Sequence, residues 1–94
     1  MKAVLLHDER RQLGDEVFAE LRLWRVPRSV PGSQHDLKYA LALVVSGTCV
    51  LRYDNEAGKG DHRHIGDREA PYCYSTLEQL LTDFWSDVNQ WSLA

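Results

Sequence analysis

Two histidines two positions apart, His62 and His64, sit in the tract Gly58-Lys59-Gly60-Asp61-His62-Arg63-His64-Ile65-Gly66-Asp67-Arg68-Glu69, where almost every side chain is charged or titratable. Histidine changes charge near neutral pH and so serves as either acid or base. Cleaving an RNA backbone would need a base for the 2′-hydroxyl proton, an acid for the leaving oxygen and cations against the phosphorane charge. His62 and His64 fit the acid and the base, and Lys59, Arg63 and Arg68 fit the cations. Asp61 or Asp67 fits as the carboxylate that orients a histidine, and Tyr53 and Tyr72 offer rings to stack on a base or hydroxyls to donate to phosphate. On an extended backbone, residues two apart point the same way, so both imidazoles can reach one phosphate.

Other chemistries suit the same residues. His62, His64 and Asp61 or Asp67 have the nitrogen and oxygen donors of a zinc or manganese site, with His7 or His35 as the extra ligand required. Gly58-Lys59-Gly60 can turn backbone N–H groups toward a phosphate, although it lacks the spacing and the Ser/Thr of a nucleotide-binding loop. Alternatively, Asp61, Asp67 and Glu69 pair with Arg63 and Arg68 and simply hold the tract against the rest of the chain. His7 and His35, each alone, read as surface or turn residues. Cys49 and Cys73 match no zinc spacing and read as small buried hydrophobes. The leading reading needs neither metal nor cofactor.

Composition bounds what can position these groups. The chain has 94 residues, 44% hydrophobic and 27% charged, which points to one folded domain over 1–94. Its longest apolar run, Tyr39 to Val45, falls far short of the roughly 20 residues of a membrane span, and no signal peptide pattern opens it, so the expected location is cytoplasmic. Net charge is −3, which disfavours electrostatic binding of nucleic acid by the whole surface. The charge is uneven: residues 1–52 hold eight Lys/Arg against six Asp/Glu, whereas residues 73–94 hold three acids and no Lys/Arg.

Strands come first and a helix last. Ala3 to Leu6 is apolar and Gly14-Asp15 signals a turn; Val17, Ala19, Leu21 and Leu23 then alternate with polar residues as a half-buried strand does. Lys38–Val45 and Thr48–Tyr53 flank Ser46-Gly47, a two-residue hairpin connection. Uninterrupted pairing across it would set Leu43 opposite Val50 and put Ala40, Ala42, Val44, Cys49, Leu51 and Tyr53 on one face. Ser75 and Glu78 have capping-box spacing, and Leu77, Leu80, Leu81, Phe84, Val88 and Trp91 form one apolar helical stripe, leaving Asp83 and Asp87 to face water. Residues 53–72 read as a long polar loop. The expected architecture is therefore α+β: a small antiparallel meander of about four strands with one C-terminal helix packed on one face.

Tyr53-Asp54-Asn55-Glu56, Gly58-Lys59-Gly60-Asp61-His62-Arg63-His64, Gly66-Asp67-Arg68-Glu69 and Pro71-Tyr72 together resemble the signature of the TumE-type toxins. Trp24-Arg25-Val26-Pro27, Val30-Pro31-Gly32-Ser33, Lys38-Tyr39 and Leu77-Glu78-Gln79-Leu80 extend the resemblance along most of the chain. It implies the toxin of a type II toxin–antitoxin pair, held in check by a cognate helix-turn-helix antitoxin. It brings no settled reaction with it; toxins of this size often cut RNA, which by analogy suits the histidine pair. The rival reading is a non-enzymatic module that binds a protein through the 53–72 tract or Trp85. Open sheet edges also suit a homodimer.

Overall fold

The computed structural model describes residues 3–30, 32–33, 35–56 and 60–93, the side chains of residues 56, 92 and 93 excepted. Six strands follow one another: β1 (Val4–Gly14), β2 (Val17–Arg25), β3 (Leu37–Val45), β4 (Thr48–Glu56), β5 (Gly60–Ile65) and β6 (Arg68–Pro71), before helix α1 (Leu77–Leu93). Each strand pairs antiparallel with the next, giving a sheet in the order β1-β2-β3-β4-β5-β6. The α+β architecture of antiparallel sheet and C-terminal helix is as expected, but there are six strands rather than about four.

The two additional strands are β5 and β6, and charge hides the alternation there as it does along most of β1. In β1, Asp8 pairs across the ladder with Arg22 and Arg10 with Glu20, at ion-pair distances of 3.5 and 3.8 Å. Opposite charges on facing positions hold a polar strand without a hydrophobic face. The β1–β2 turn falls on Asp15-Glu16, one residue later than Gly14-Asp15, with Glu16 at φ 59°. The tract read as a loop is instead the end of β4 followed by a β5–β6 hairpin, whose two-residue turn is Gly66-Asp67, with Gly66 at φ 62°.

Ser46 and Gly47 both have positive φ, 49° and 80°, as a tight hairpin turn requires, so that connection is as expected. The register beyond it is not. A bulge between Leu43 and Val44 leaves Val50 unpaired and sets Leu43 opposite Leu51, Leu41 opposite Tyr53 and Ala40 opposite Asp54. One extra residue flips every side chain after it. The face under the helix is therefore Leu37, Tyr39, Leu41 and Leu43 with Leu51 and Tyr53, not the alanine face.

Ala19, Leu21 and Leu23 of β2 complete that apolar face, and Leu80, Phe84 and Val88 of α1 close over it. The helix starts one residue later than the capping box suggests. Thr76, not Ser75, is its cap: the Thr76 hydroxyl accepts from Gln79 N–H at 3.0 Å and its carbonyl from Leu80 N–H at 2.9 Å. Trp91, on the stripe by spacing, is 40% exposed. Asp83 and Asp87 do not simply face water; they accept hydrogen bonds from the hydroxyls of Tyr72 and Tyr53. Cys49 and Cys73 are exposed free thiols rather than buried. Among the described residues, no helix is long and apolar enough to cross a membrane.

Candidate functional site

Strand alternation sorts the β4–β5–β6 residues onto two faces. Asp54 pairs with His62, Arg52 with His64, and His64 with Glu69 across the ladders, so these five side chains share the face away from α1. Asn55 pairs with Asp61, and Tyr53 with Arg63, and these share the helix face.

On the outer face, His62 and Asp54 are both 4% exposed. His62 Nε2 lies 2.6 Å from Asp54 Oδ1, while Arg52 Nε stands 2.7 Å from the other oxygen, Oδ2. The remaining ring nitrogen of His62, Nδ1, is 3.0 Å from the Gly60 carbonyl oxygen, which only accepts, so Nδ1 carries a proton and donates. The His62–Asp54 contact is an ion-pair approach rather than an aligned hydrogen bond, and Asp54 Oδ1 is a buried oxygen without a hydrogen-bond donor. The His64 ring packs edge-on to that of His62 with centroids 5.0 Å apart. Glu69 reaches over both, 4.0 Å from His62 Nε2 and 3.8 Å from His64 Nδ1. An open cleft of about 490 Å³, lined by Asp61, His62, Glu69, Ala70 and Pro71, adjoins them.

The helix face holds a second polar cluster, centred on Asp61. Ser33 Oγ donates to Asp61 Oδ1 at 2.5 Å and Tyr39 OH to Oδ2 at 2.7 Å. His35 Nε2 stands 2.8 Å from Oδ2; because His35 Nδ1 accepts from Leu37 N–H at 3.2 Å, Nε2 is the protonated nitrogen and donates. Burial pushes the Asp61 carboxyl upward, but the donors Ser33, Tyr39 and His35 outweigh it and hold its pKa below the usual carboxylate value. Burial, reinforced by the bond to Asp61, drives the Tyr39 phenol far above its ordinary range. Asn55, 1% exposed, accepts from Tyr39 N–H and donates to the Leu37 carbonyl and Ser33 Oγ, which ties Ser33 and the start of β3 to β4. Tyr74 stacks on the His35 ring at 3.8 Å.

The structure thus brings His62 and His64 together and separates them from several residues grouped with them by sequence. Asp61 faces the opposite side and bonds His35, so it does not orient His62; Asp54 occupies that place. Asp67 lies in the exposed β5–β6 turn. Arg63 extends over the helix face, 3.3 Å from Asp87 and from Tyr53 OH. Tyr53 is wholly buried against Tyr72 and Phe84, which leaves it no face for a nucleobase. Tyr72 donates to Asp83 at 2.6 Å. Burial and an aspartate acceptor raise the pKa of both phenols. Arg68 opens β6 and is exposed, and Lys59 lies outside the described residues.

Sequence spacing alone does not single out Asp54, Asn55, Ser33, His35 or Tyr39. Two of them, Asp54 and Asn55, lie in the Tyr53-Asp54-Asn55-Glu56 motif, and a strand reading of that motif would have set Asp54 and His62 on one face.

No curated protein and no solved structure matches this chain. A family does: the description Toxin TumE matches residues 2–92, nearly the whole length. The chain belongs to the TumE toxin family.

Proposed function

We propose that this toxin acts by cleaving RNA, with His64 as base and His62 as acid on the outer face of β4–β5. The observation that carries the reading is the grouping itself: two imidazoles with centroids 5.0 Å apart, one held 2.6 Å from a buried carboxylate, beside an open cleft. In the reaction, His64 takes the 2′-hydroxyl proton and the 2′-oxygen bonds to phosphorus. The bond from phosphorus to the 5′-oxygen breaks, and that oxygen takes a proton from His62, leaving a 2′,3′-cyclic phosphate and a 5′-hydroxyl. Asp54, 2.6 Å from Nε2, orients His62, the role given to Asp61 or Asp67 by sequence. Arg68, at the exposed edge, and Lys59 serve the phosphate. The partner that restrains the toxin is an antitoxin, of helix-turn-helix type by the family resemblance, and both act in the cytoplasm.

Induced expression in a bacterium tests this. Wild type should arrest growth and fragment RNA, and His62→Ala/His64→Ala, still folded by circular dichroism, should do neither. Arrest with intact RNA in that variant overturns the reading.

One observation favours a second, non-enzymatic reading. A groove of about 390 Å³ between β1, β2 and α1 is lined by Leu6, Leu21, Leu23, Leu77, Leu81 and Trp85, with His7, Glu9 and Arg11 at its side, next to the exposed Val4 and Leu5. It suits an apolar segment of a protein partner. If the toxin works only through this groove, Trp85→Ala abolishes arrest and the double histidine variant does not.

A further inference from the structure

We infer that Asp54, His62 and His64 form a binding site for a divalent transition metal, zinc above all. Their candidate ligand atoms, one from each residue, all lie within 4.8 Å of one another. Two imidazoles and a carboxylate are the donors that suit zinc, with preferred ligand distances of roughly 2.0–2.2 Å. A second observation points the same way: Asp54 Oδ1 is buried, lacks a hydrogen-bond donor, and faces His62 Nε2 at 2.6 Å. With Nδ1 of His62 donating to the Gly60 carbonyl, Nε2 is the nitrogen whose lone pair faces that oxygen when the ring is neutral. Two lone pairs at this distance repel, and either a proton or a metal cation between them removes the conflict. A histidine that binds metal through one nitrogen while donating the other to a backbone carbonyl is also the usual supporting arrangement.

Charge balance agrees. Arg52 neutralises part of Asp54 through Oδ2 and leaves Oδ1 for the ion, while Glu69, its side chain 46% exposed, adds negative charge 4.0 Å from His62 Nε2 and 3.8 Å from His64 Nδ1. The ion would widen the His62–Asp54 gap to roughly 3.0–3.4 Å, the separation set by tetrahedral or octahedral angles at those bond lengths. The site rests on the proposed function for its location only. The metal displaces the proton between His62 and Asp54 and takes the His64 lone pair, so the loaded protein is the form in which proton transfer is switched off.

The test uses the purified full chain, stripped with EDTA and titrated with Zn²⁺ against a chromophoric chelator, and with Co²⁺ by visible absorption. One zinc per chain is expected, with cobalt d–d bands. Asp54→Asn and His64→Ala should each weaken binding at least tenfold and lose the bands, while His7→Ala, on distant β1, should bind as wild type does. His64 is partly exposed, so its variant keeps the measurement informative if Asp54→Asn unfolds. Absent binding, or binding unchanged in both site variants, overturns the site. RNA cleavage is read separately. Cleavage that survives EDTA and falls with Zn²⁺ upholds both inferences. Cleavage that requires Zn²⁺ upholds the site and overturns the proton-transfer reading. Stoichiometric zinc binding with no cleavage under either condition upholds the site and removes the ribonuclease.

Discussion

Asp54 and His62 face each other across the β4–β5 ladder with 2.6 Å between Oδ1 and Nε2, both buried on a sheet face that α1 does not cover. Charged groups rarely occupy a dry position unless they compensate one another. Asp54→Asn keeps the shape and removes the charge that holds His62. If His62 acts as proposed, loss of toxic activity by about 10–100-fold is expected, the size of effect seen when metal-ligating histidines lose their carboxylate partners. Growth arrest under graded induction, with far-ultraviolet circular dichroism as the folding control, checks this.

Acid should act on the fold through Asp61. Its folded pKa is depressed, by Ser33, Tyr39 and His35 against the opposing effect of burial. A carboxylate with a depressed folded pKa contributes stability that is complete above its unfolded pKa and is lost as pH falls through the folded one. The loss therefore begins below about pH 4. Urea midpoints at pH 7 and pH 3 should fall in the wild type and change less in Asp61→Asn. At pH 7 that variant should already be weaker by about 1–3 kcal/mol, since a buried acceptor for three donors has been replaced.

Gly60 marks where Gly32 meets β5. Its φ is +75°, and a Cβ built there would lie 2.7 Å from the Gly32 carbonyl oxygen. Both the conformation and the space exclude a side chain. Gly60→Ala must push Gly32 away and so disturb the Ser33–Asp61 bond and the Gly60 carbonyl that receives His62 Nδ1. A cost of about 1–3 kcal/mol is expected from the strained φ. Thermal unfolding measures it, and toxicity should fall with it.

Periodicity announces β2 and α1 because one side of each is buried and the other is not: Ala19, Leu21 and Leu23 on the strand, Leu80, Phe84 and Val88 on the helix. It fails for β1, where the facing partners are ions, and for β5, where His62 and His64 stand in place of apolar residues. The bulge at Val50 is invisible to alternation counting, because one unpaired residue leaves both halves of β4 individually regular. That bulge decides which face of β4 lies under α1, while the unbroken β4–β5 ladder sets Asp54 opposite His62. The histidine pair is readable from spacing; Asp54 becomes readable only once β4 and β5 are known to pair.

The helix supplies the last prediction, because its hold on the sheet is concentrated. Phe84 is fully buried, edge-on to Tyr53 at 5.8 Å and to Trp85 at 5.2 Å. Phe84→Ala would open a cavity beneath α1 and should cost about 3–5 kcal/mol, a large part of what a domain of this size has. Trp91 follows the same stripe by spacing, yet it is 40% exposed at the far end of the helix, and Trp91→Ala should cost under about 1 kcal/mol. Denaturant unfolding of the two variants should separate them by several-fold in stability loss. Equal losses would mean that α1 is held along its whole length rather than by Leu80, Phe84 and Val88, and the placement of the core beneath its middle turns would be wrong.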